Sequence, residues 1–254
     1  MNTTWKVAFV TAVVVGATRD MNADQTLNGA VGLPLNPTAR LPLPNSVQAQ
    51  GSYFDLGSVP GNSFRFYGVH AAGRVGEMPL EISGGVERLD ARGGARFSGV
   101  DRNGIALGAK YLVSPETLPR VRFAVGAGYS RALLKNWHAY VVGTRDLRRV
   151  ANLIPATVHA GVRYDRFSLA DVGGPKSSRA SVFGGVEIPI PIRPTADLSF
   201  VGELQSKNTD GGSTPYSAAI RFRPAGQNFS AIIGLQRQGL TGDNGVFAQV
   251  GFKF

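Results

Sequence analysis

Three histidines, His70, His138 and His159, are the side chains in this sequence whose ordinary pKa lies near neutrality, so an acid–base site would be built on them. None stands in a catalytic setting. A nucleophilic mechanism needs a nucleophile, a base and a group to orient the base. The G-x-S-x-G elbow that carries such an arrangement in many hydrolases is absent. No cluster of His, Asp and Glu has zinc spacing, and Asp210-Gly211-Gly212 is too short for a calcium loop. The pair of glycines around Ala127 falls inside an extended run and cannot wrap a phosphate. The sequence therefore assigns no catalytic residue, no metal ligand and no cofactor, and it reads as a non-enzyme.

Charge, by contrast, is spaced regularly. Glu81, Glu87, Glu187 and Glu203 recur on the polar side of alternating runs, as do Lys110, Arg122, Arg163, Arg221, Arg223 and Lys253, with His159 on the same row as Arg163. Two roles fit such a row. Mixed charges fill a narrow barrel and pair across strands, or a mostly basic channel wall favours anions.

The elements that would hold this row are β-strands. Side chains alternate with period two along a strand. In Val246–Phe254 (VFAQVGFKF), Val246, Ala248, Val250, Phe252 and Phe254 share one face, and Phe247, Gln249, Gly251 and Lys253 the other. An apolar row ending in a C-terminal aromatic resembles the last strand of bacterial outer-membrane β-barrels, which helps the barrel assembly machinery find the chain. The resemblance makes Val250, Phe252 and Phe254 an assembly signal. Similar runs of about ten residues recur from Val47 onward, about twelve in all, a length suited to tilted membrane strands. Val121, Phe123, Val125, Ala127 and Tyr129 oppose Arg122, Ala124, Gly126 and Gly128, which puts Val125 in lipid and predicts that Gly126 tolerates Ser. In Phe64–Arg74 the adjacent Phe66 and Tyr67 leave the facing open. The connections alternate too. Asp90–Asn103 and Arg166–Arg179 are long and polar, whereas GEMP, SPETLPR, PIPIRPT and PAGQN are short and carry Pro, the asymmetry expected between outer loops and periplasmic turns.

Ahead of the strands, residues 1–23 read as a signal peptide: Lys6, then the apolar run Val7–Val15, then small residues for cleavage near Ala17 or Ala23. Residues 24–46 are rich in Pro and Gly and cannot form a ladder strand. Within them, Gly32-Leu33 followed by Pro37-Thr38-Ala39-Arg40 resembles the opening of the bacterial YjbH outer-membrane family, which implies a link to exopolysaccharide production.

Composition sets the outer bounds. A chain of 254 residues with 43% hydrophobic residues can form one large all-β domain. There are no cysteines, hence no disulfide framework. The net charge of +10 suits anionic lipid, an acidic polymer or nucleic acid, but the basic residues are spread over rows and loops rather than massed on one face, which argues against nucleic acid. The expectation is thus an all-β transmembrane antiparallel up-and-down barrel of about twelve strands over residues 47–254, in the bacterial outer membrane. Its partners would be outer-membrane lipid, the assembly machinery, and small anionic solutes or polysaccharide. It would act as a narrow porin-like channel or as a structural part of surface-polysaccharide export. A barrel-borne lipid hydrolase and a soluble basic β-protein that binds an acidic polymer stay open as alternatives.

Overall fold

Runs that alternate between Val, Ile or aromatic residues and small or polar ones cannot bury both faces against water, but a closed sheet in lipid satisfies both. The computed structural model describes residues 25–26, 29–30, 32–59, 62–93, 100–114, 121–131, 134–147, 155–169, 177–193, 196–208, 212–239 and 242–254. Within them the chain forms a closed antiparallel barrel of twelve strands, each paired with its sequence neighbours, with β1 closing on β12. The strands are β1 (Val47–Val59), β2 (Asn62–Arg74), β3 (Leu80–Gly93), β4 (Val100–Ser114), β5 (Arg122–Arg131) and β6 (Leu134–Asp146). They continue as β7 (Thr157–Leu169), β8 (Ser177–Arg193), β9 (Ala196–Gln205), β10 (Tyr216–Pro224), β11 (Phe229–Arg237) and β12 (Gly245–Lys253). The seam is backbone-bonded to its last residue: Val47 N donates to Phe254 O at 3.2 Å and Phe254 N to Val47 O at 2.8 Å. The expected signal peptide lies outside the described residues.

Polarity is inside out. Outward positions at mid-height hold Val69, Val86, Leu107, Val141, Val162 and Ile233, all exposed. Two rings of aromatics bound this belt. Toward the end where the chain termini meet, Tyr111, Phe123, Phe222 and Phe252 face out, and toward the far end Tyr67, Trp137 and Tyr164 do. An apolar belt between aromatic girdles is the wall of a transmembrane barrel, the fold of bacterial outer-membrane proteins. With an even strand count the terminal end is periplasmic and the far end extracellular.

The structure settles the open facing of β2 and revises three sequence expectations. Phe66, Gly68, His70 and Ala72 point inward and Tyr67 and Val69 outward. The long outer connections are shorter than expected, because β3, β4, β7 and β8 run on past the membrane belt and leave only 94–99 and 170–176 between strands. There the alternation that marks a strand in the sequence fades while the backbone ladder continues. PIPIR, expected in a turn, belongs to β8. Pro189 and Pro191 are tolerated because they lie beyond the start of β7, whose pairing ends at Thr157↔Glu187, so one flank needs no donor. Finally, Gly126 does not tolerate Ser. It stands directly across from Tyr140 on β6, whose ring covers it, and a Cβ there would collide with that ring and lie 2.8 Å from Ala109 O. The same device pairs Gly128 with His138, Gly161 with Phe183 and Gly85 with His70, a missing side chain on one strand making room for a ring from the next.

Candidate functional site

The interior of the barrel is filled, and part of the filling is the chain's own N-terminal segment. Pro34 and Pro37 deny this segment the amide donors of a full ladder, so it forms a tight hairpin instead. Leu33 N donates to Asn36 O at 2.8 Å, and Gly32 and Pro37 form a single antiparallel bridge. Gly32 is required there, since a Cβ would lie 2.5 Å from Asn36 O and 2.6 Å from the Pro37 Cα.

At its start, the segment is held by glutamines. Gln25 N donates to Gln50 Oε1 at 3.1 Å, Gln25 Nε2 to Gln48 O at 2.7 Å, and Gln50 Nε2 back to Gln25 O at 3.0 Å. The tip is held by one carboxylate. Glu203 on β9 accepts from Leu35 N at 2.6 Å, Asn36 N at 3.0 Å, Asn36 Nδ2 at 3.1 Å and the wall hydroxyl Ser217 Oγ at 2.6 Å. From β7, two strands along the wall, Arg163 reaches the Leu35 carbonyl at 3.5 Å, itself fixed by Asp165 at 2.8 Å. Between tip and wall, Leu33 is fully buried against Gly185.

The returning arm ends in a buried charge cluster. Arg40 Nη1 donates to both oxygens of Glu187 at 2.9 Å, and Arg221 Nη1 donates to Glu187 Oε2 at 3.0 Å. His159 Nε2 lies 3.2 Å from Glu187 Oε1, while its Nδ1 is 3.0 Å from Thr144 Oγ1. That hydroxyl accepts from Ala39 N at 2.9 Å. Because the Thr144 oxygen already accepts from Ala39 N, its own proton goes to His159 Nδ1, which leaves the ring proton on Nε2, facing Glu187. Glu187 is 0% exposed, so its charge is affordable only because two guanidiniums and an imidazole converge on it.

All eleven charged residues singled out in the sequence sit at inward positions, and the structure groups them. Glu187, Arg221 and His159 form the cluster just described. Glu81 pairs with Lys110 across β3 and β4 at 2.7 Å, and Glu87 lies 3.3 Å from His70. Glu203 and Arg163 grip the hairpin tip. Arg122, Arg223 and Lys253 lie at the periplasmic mouth, near the ends of their strands, and Arg223 faces Asp197 in register. Val250, Phe252 and Phe254 point out from β12 into the belt. Sequence reasoning missed Gln25, Asn36, Arg40, Thr144 and Asp165. The Asn36-Pro37 turn signal marks the hairpin, but no local pattern tells that its acceptor lies 167 positions away. Also unforeseen was how apolar part of the lumen is. Phe54, Phe66, Leu89, Ile232 and Phe247 cluster inside toward the far end, with Phe54 stacked on Phe247 at 5.2 Å between ring centres.

All three histidines point into this interior. None reaches the lipid-facing wall, where a barrel-borne lipid hydrolase would need its base. Among the described residues, no three His, Asp or Glu side chains are placed to hold a metal.

No protein-family model matches the chain, and no curated protein matches it in sequence. The N-terminal likeness to the YjbH family thus finds no counterpart. Solved structures do match the fold. The translocator domain of the autotransporter NalP from Neisseria meningitidis superposes with a TM-score of 0.53 at 14% identity, over 82% of this chain and 86% of that one. A KdgM porin in complex with disordered oligogalacturonate gives a TM-score of 0.49 at 13% identity, and a NanC porin 0.49 at 12%, each over 82% of this chain and 98% of the other. The likeness to the NalP translocator domain speaks to the barrel fold alone.

Proposed function

We propose that this protein is a non-enzymatic outer-membrane channel for small polar solutes, closed in this conformation by its own N-terminal hairpin. One observation carries the reading: the hairpin is anchored by wall carboxylates, Glu203 at its tip and Glu187 at its returning arm, and belongs to no wall strand. Contacts of that kind exchange for water when the segment moves, whereas a ladder strand could leave only by opening the barrel. Within the barrel, Lys110, Arg163 and Arg221 are each paired with a carboxylate. A preference for anions would therefore be modest and would come from the periplasmic mouth, where Lys253 stands. Partners under this reading are outer-membrane lipid and the barrel assembly machinery, the latter through Val250, Phe252 and Phe254.

The test is conductance of the purified protein in planar bilayers, with and without deletion of residues 25–40. A near-silent full-length protein and a conducting deletion, with a reversal potential slightly on the anion side, would support a gated channel. Equal silence in both, with the deleted barrel still folded by unboiled gel migration, would reject it. A second reading has its own observation. Gly32-Leu33 and Pro37–Arg40, the residues that resemble the YjbH family, are the hairpin itself. In that reading the hairpin is a contact for surface-polysaccharide export, and the deletion would lower exported polysaccharide while leaving bilayers silent.

A further inference from the structure

The wall meets the two ends of the N-terminal segment differently. At the start it offers neutral groups: the Gln48 carbonyl and the Gln50 and Gln249 amides hold Gln25. At the tip it presents a carboxylate. Glu203 accepts from Leu35 N, Asn36 N, Asn36 Nδ2 and Ser217 Oγ, all of them neutral donors. Glu81, Glu87 and Glu187 lie within ion-pair distance of Lys110, His70 and Arg40, but Glu203 pairs with no cation among the described residues. Several neutral acceptors hold Gln25, so holding a peptide does not by itself require a buried charge, which is costly when no opposite charge meets it. The carboxylate adds what neutral acceptors lack, attraction for a cation.

Release of the tip takes three donors from Glu203 and leaves Ser217 in place. A primary ammonium carries three N–H donors and one positive charge. It therefore replaces the three lost bonds with charge-assisted ones and neutralises the carboxylate. A hydroxyl returns a donor but no charge. A divalent metal ion is usually held by several oxygens, and no three His, Asp or Glu side chains of the described residues come together to hold one. The wall beside the tip is also rich in acceptors. Arg163, which reaches the Leu35 carbonyl, donates to Asp165 Oδ1, and Asn136 Nδ2 donates to the same oxygen at 3.0 Å. Asp165 Oδ2 and Asn136 Oδ1 are buried and accept no hydrogen bond from the described residues. Hydroxyls on a solute supply the donors these two oxygens lack.

We propose that Glu203 and Ser217 form a binding site for the primary ammonium group of a small hydroxylated solute, a site that the hairpin tip occupies in the closed channel. Such a solute opens the pore by competing with the tip, with its hydroxyls toward Asp165 and Asn136. This rests on the reading of the hairpin as a movable closure. Opening then follows mass action, because the solute binds only the released state. The released population grows in proportion to one plus the ratio of solute concentration to its dissociation constant.

The test is labelling of the full-length Leu33→Cys protein by a water-soluble methanethiosulfonate, a reagent inert to amines, with glucosamine as the probe at neutral pH. At about ten times its dissociation constant, glucosamine should speed labelling about tenfold. Glucose, which has hydroxyls but no ammonium, and tetramethylammonium, which has charge but no N–H, should leave the rate unchanged at equal ionic strength. Glu203→Gln should label fast without glucosamine and gain nothing from it. Asn36→Ala weakens the tip but keeps the carboxylate. It should also label faster at rest, yet still respond and reach its plateau at a lower glucosamine concentration. Equal acceleration by glucose or tetramethylammonium would overturn the ammonium site, as would a response that survives Glu203→Gln. No response to glucosamine, with Asn36→Ala still labelling faster than the parent, would sink the site and leave the closure standing. Unchanged resting rates in both Asn36→Ala and Glu203→Gln would reject the closure itself, and the proposal with it.

Discussion

Glu203→Gln should release the hairpin tip while leaving the barrel wall intact. The carboxylate accepts four donors, Leu35 N and Ser217 Oγ on one oxygen and Asn36 N and Nδ2 on the other. An amide of the same shape offers one oxygen and one NH₂ group, so at least two of the four donors would face another donor. Hydrogen bonds to a charged group contribute about 1.5–3 kcal/mol each, which puts the loss at roughly 3–6 kcal/mol if both are simply forfeited. The donors regain water as the tip leaves, so the lower end applies. About 3 kcal/mol corresponds to roughly a hundredfold more hairpin in the released state. The chain has no cysteine, so one introduced thiol reports without background. Leu33→Cys is suitable, since Leu33 is fully buried against Gly185 and its side chain makes no hydrogen bond. A water-soluble maleimide should label Cys at this position about a hundredfold faster in the Glu203→Gln background than in the parent. Equal labelling rates in the two backgrounds would refute the assignment of Glu203 as the anchor.

Glu187→Gln should destabilise the barrel by about 3–5 kcal/mol in denaturant unfolding, because Arg40 and Arg221 are then left facing each other in a buried site. Deleting residues 25–40 in that variant removes Arg40 and should recover part of the loss; strict additivity of the two changes would count against the cluster. On β5, Val125→Arg should cost about 2–4 kcal/mol at the lipid face, and Gly126→Ser should also destabilise through its clash with Tyr140, whereas Gly51→Ala, with nothing within 4 Å of its Cβ, should be neutral in the same unfolding assay. Phe254→Ala should barely change the melting temperature of the purified barrel, because its side chain is 75% exposed and the seam is closed by backbone groups, yet should lower the amount of heat-modifiable protein in outer membranes. A matched drop in both would make Phe254 a stability residue rather than an assembly signal.

The strand number, the membrane wall and the facing of nearly every strand were legible in the sequence because they are local. Period-two alternation needs only residues i and i+2, and Val121–Tyr129 or Tyr216–Phe222 state their lipid face without reference to any neighbour. Strand ends were less legible where that signal stops: β3 and β4 continue past the belt, and Pro189 and Pro191 stay in β8 only because β7 has already ended beside them. The lumen charges were found by the same alternation, but alternation says only that Glu203 and Arg163 point inward, not what they meet. What they meet is a hairpin far away in sequence, joined to Glu203 across 167 positions, and nothing in residues 32–40 alone distinguishes a linker from a plug. Closure of the sheet decides it. Once twelve strands fix a narrow interior, inward glycines open space for rings such as Tyr140 and His138, while carboxylates such as Glu187 and Glu203 take some donors from the wall and the rest from the N-terminal segment. The sequence thus determined which face of each strand meets lipid, and the tertiary structure decided what fills the other side.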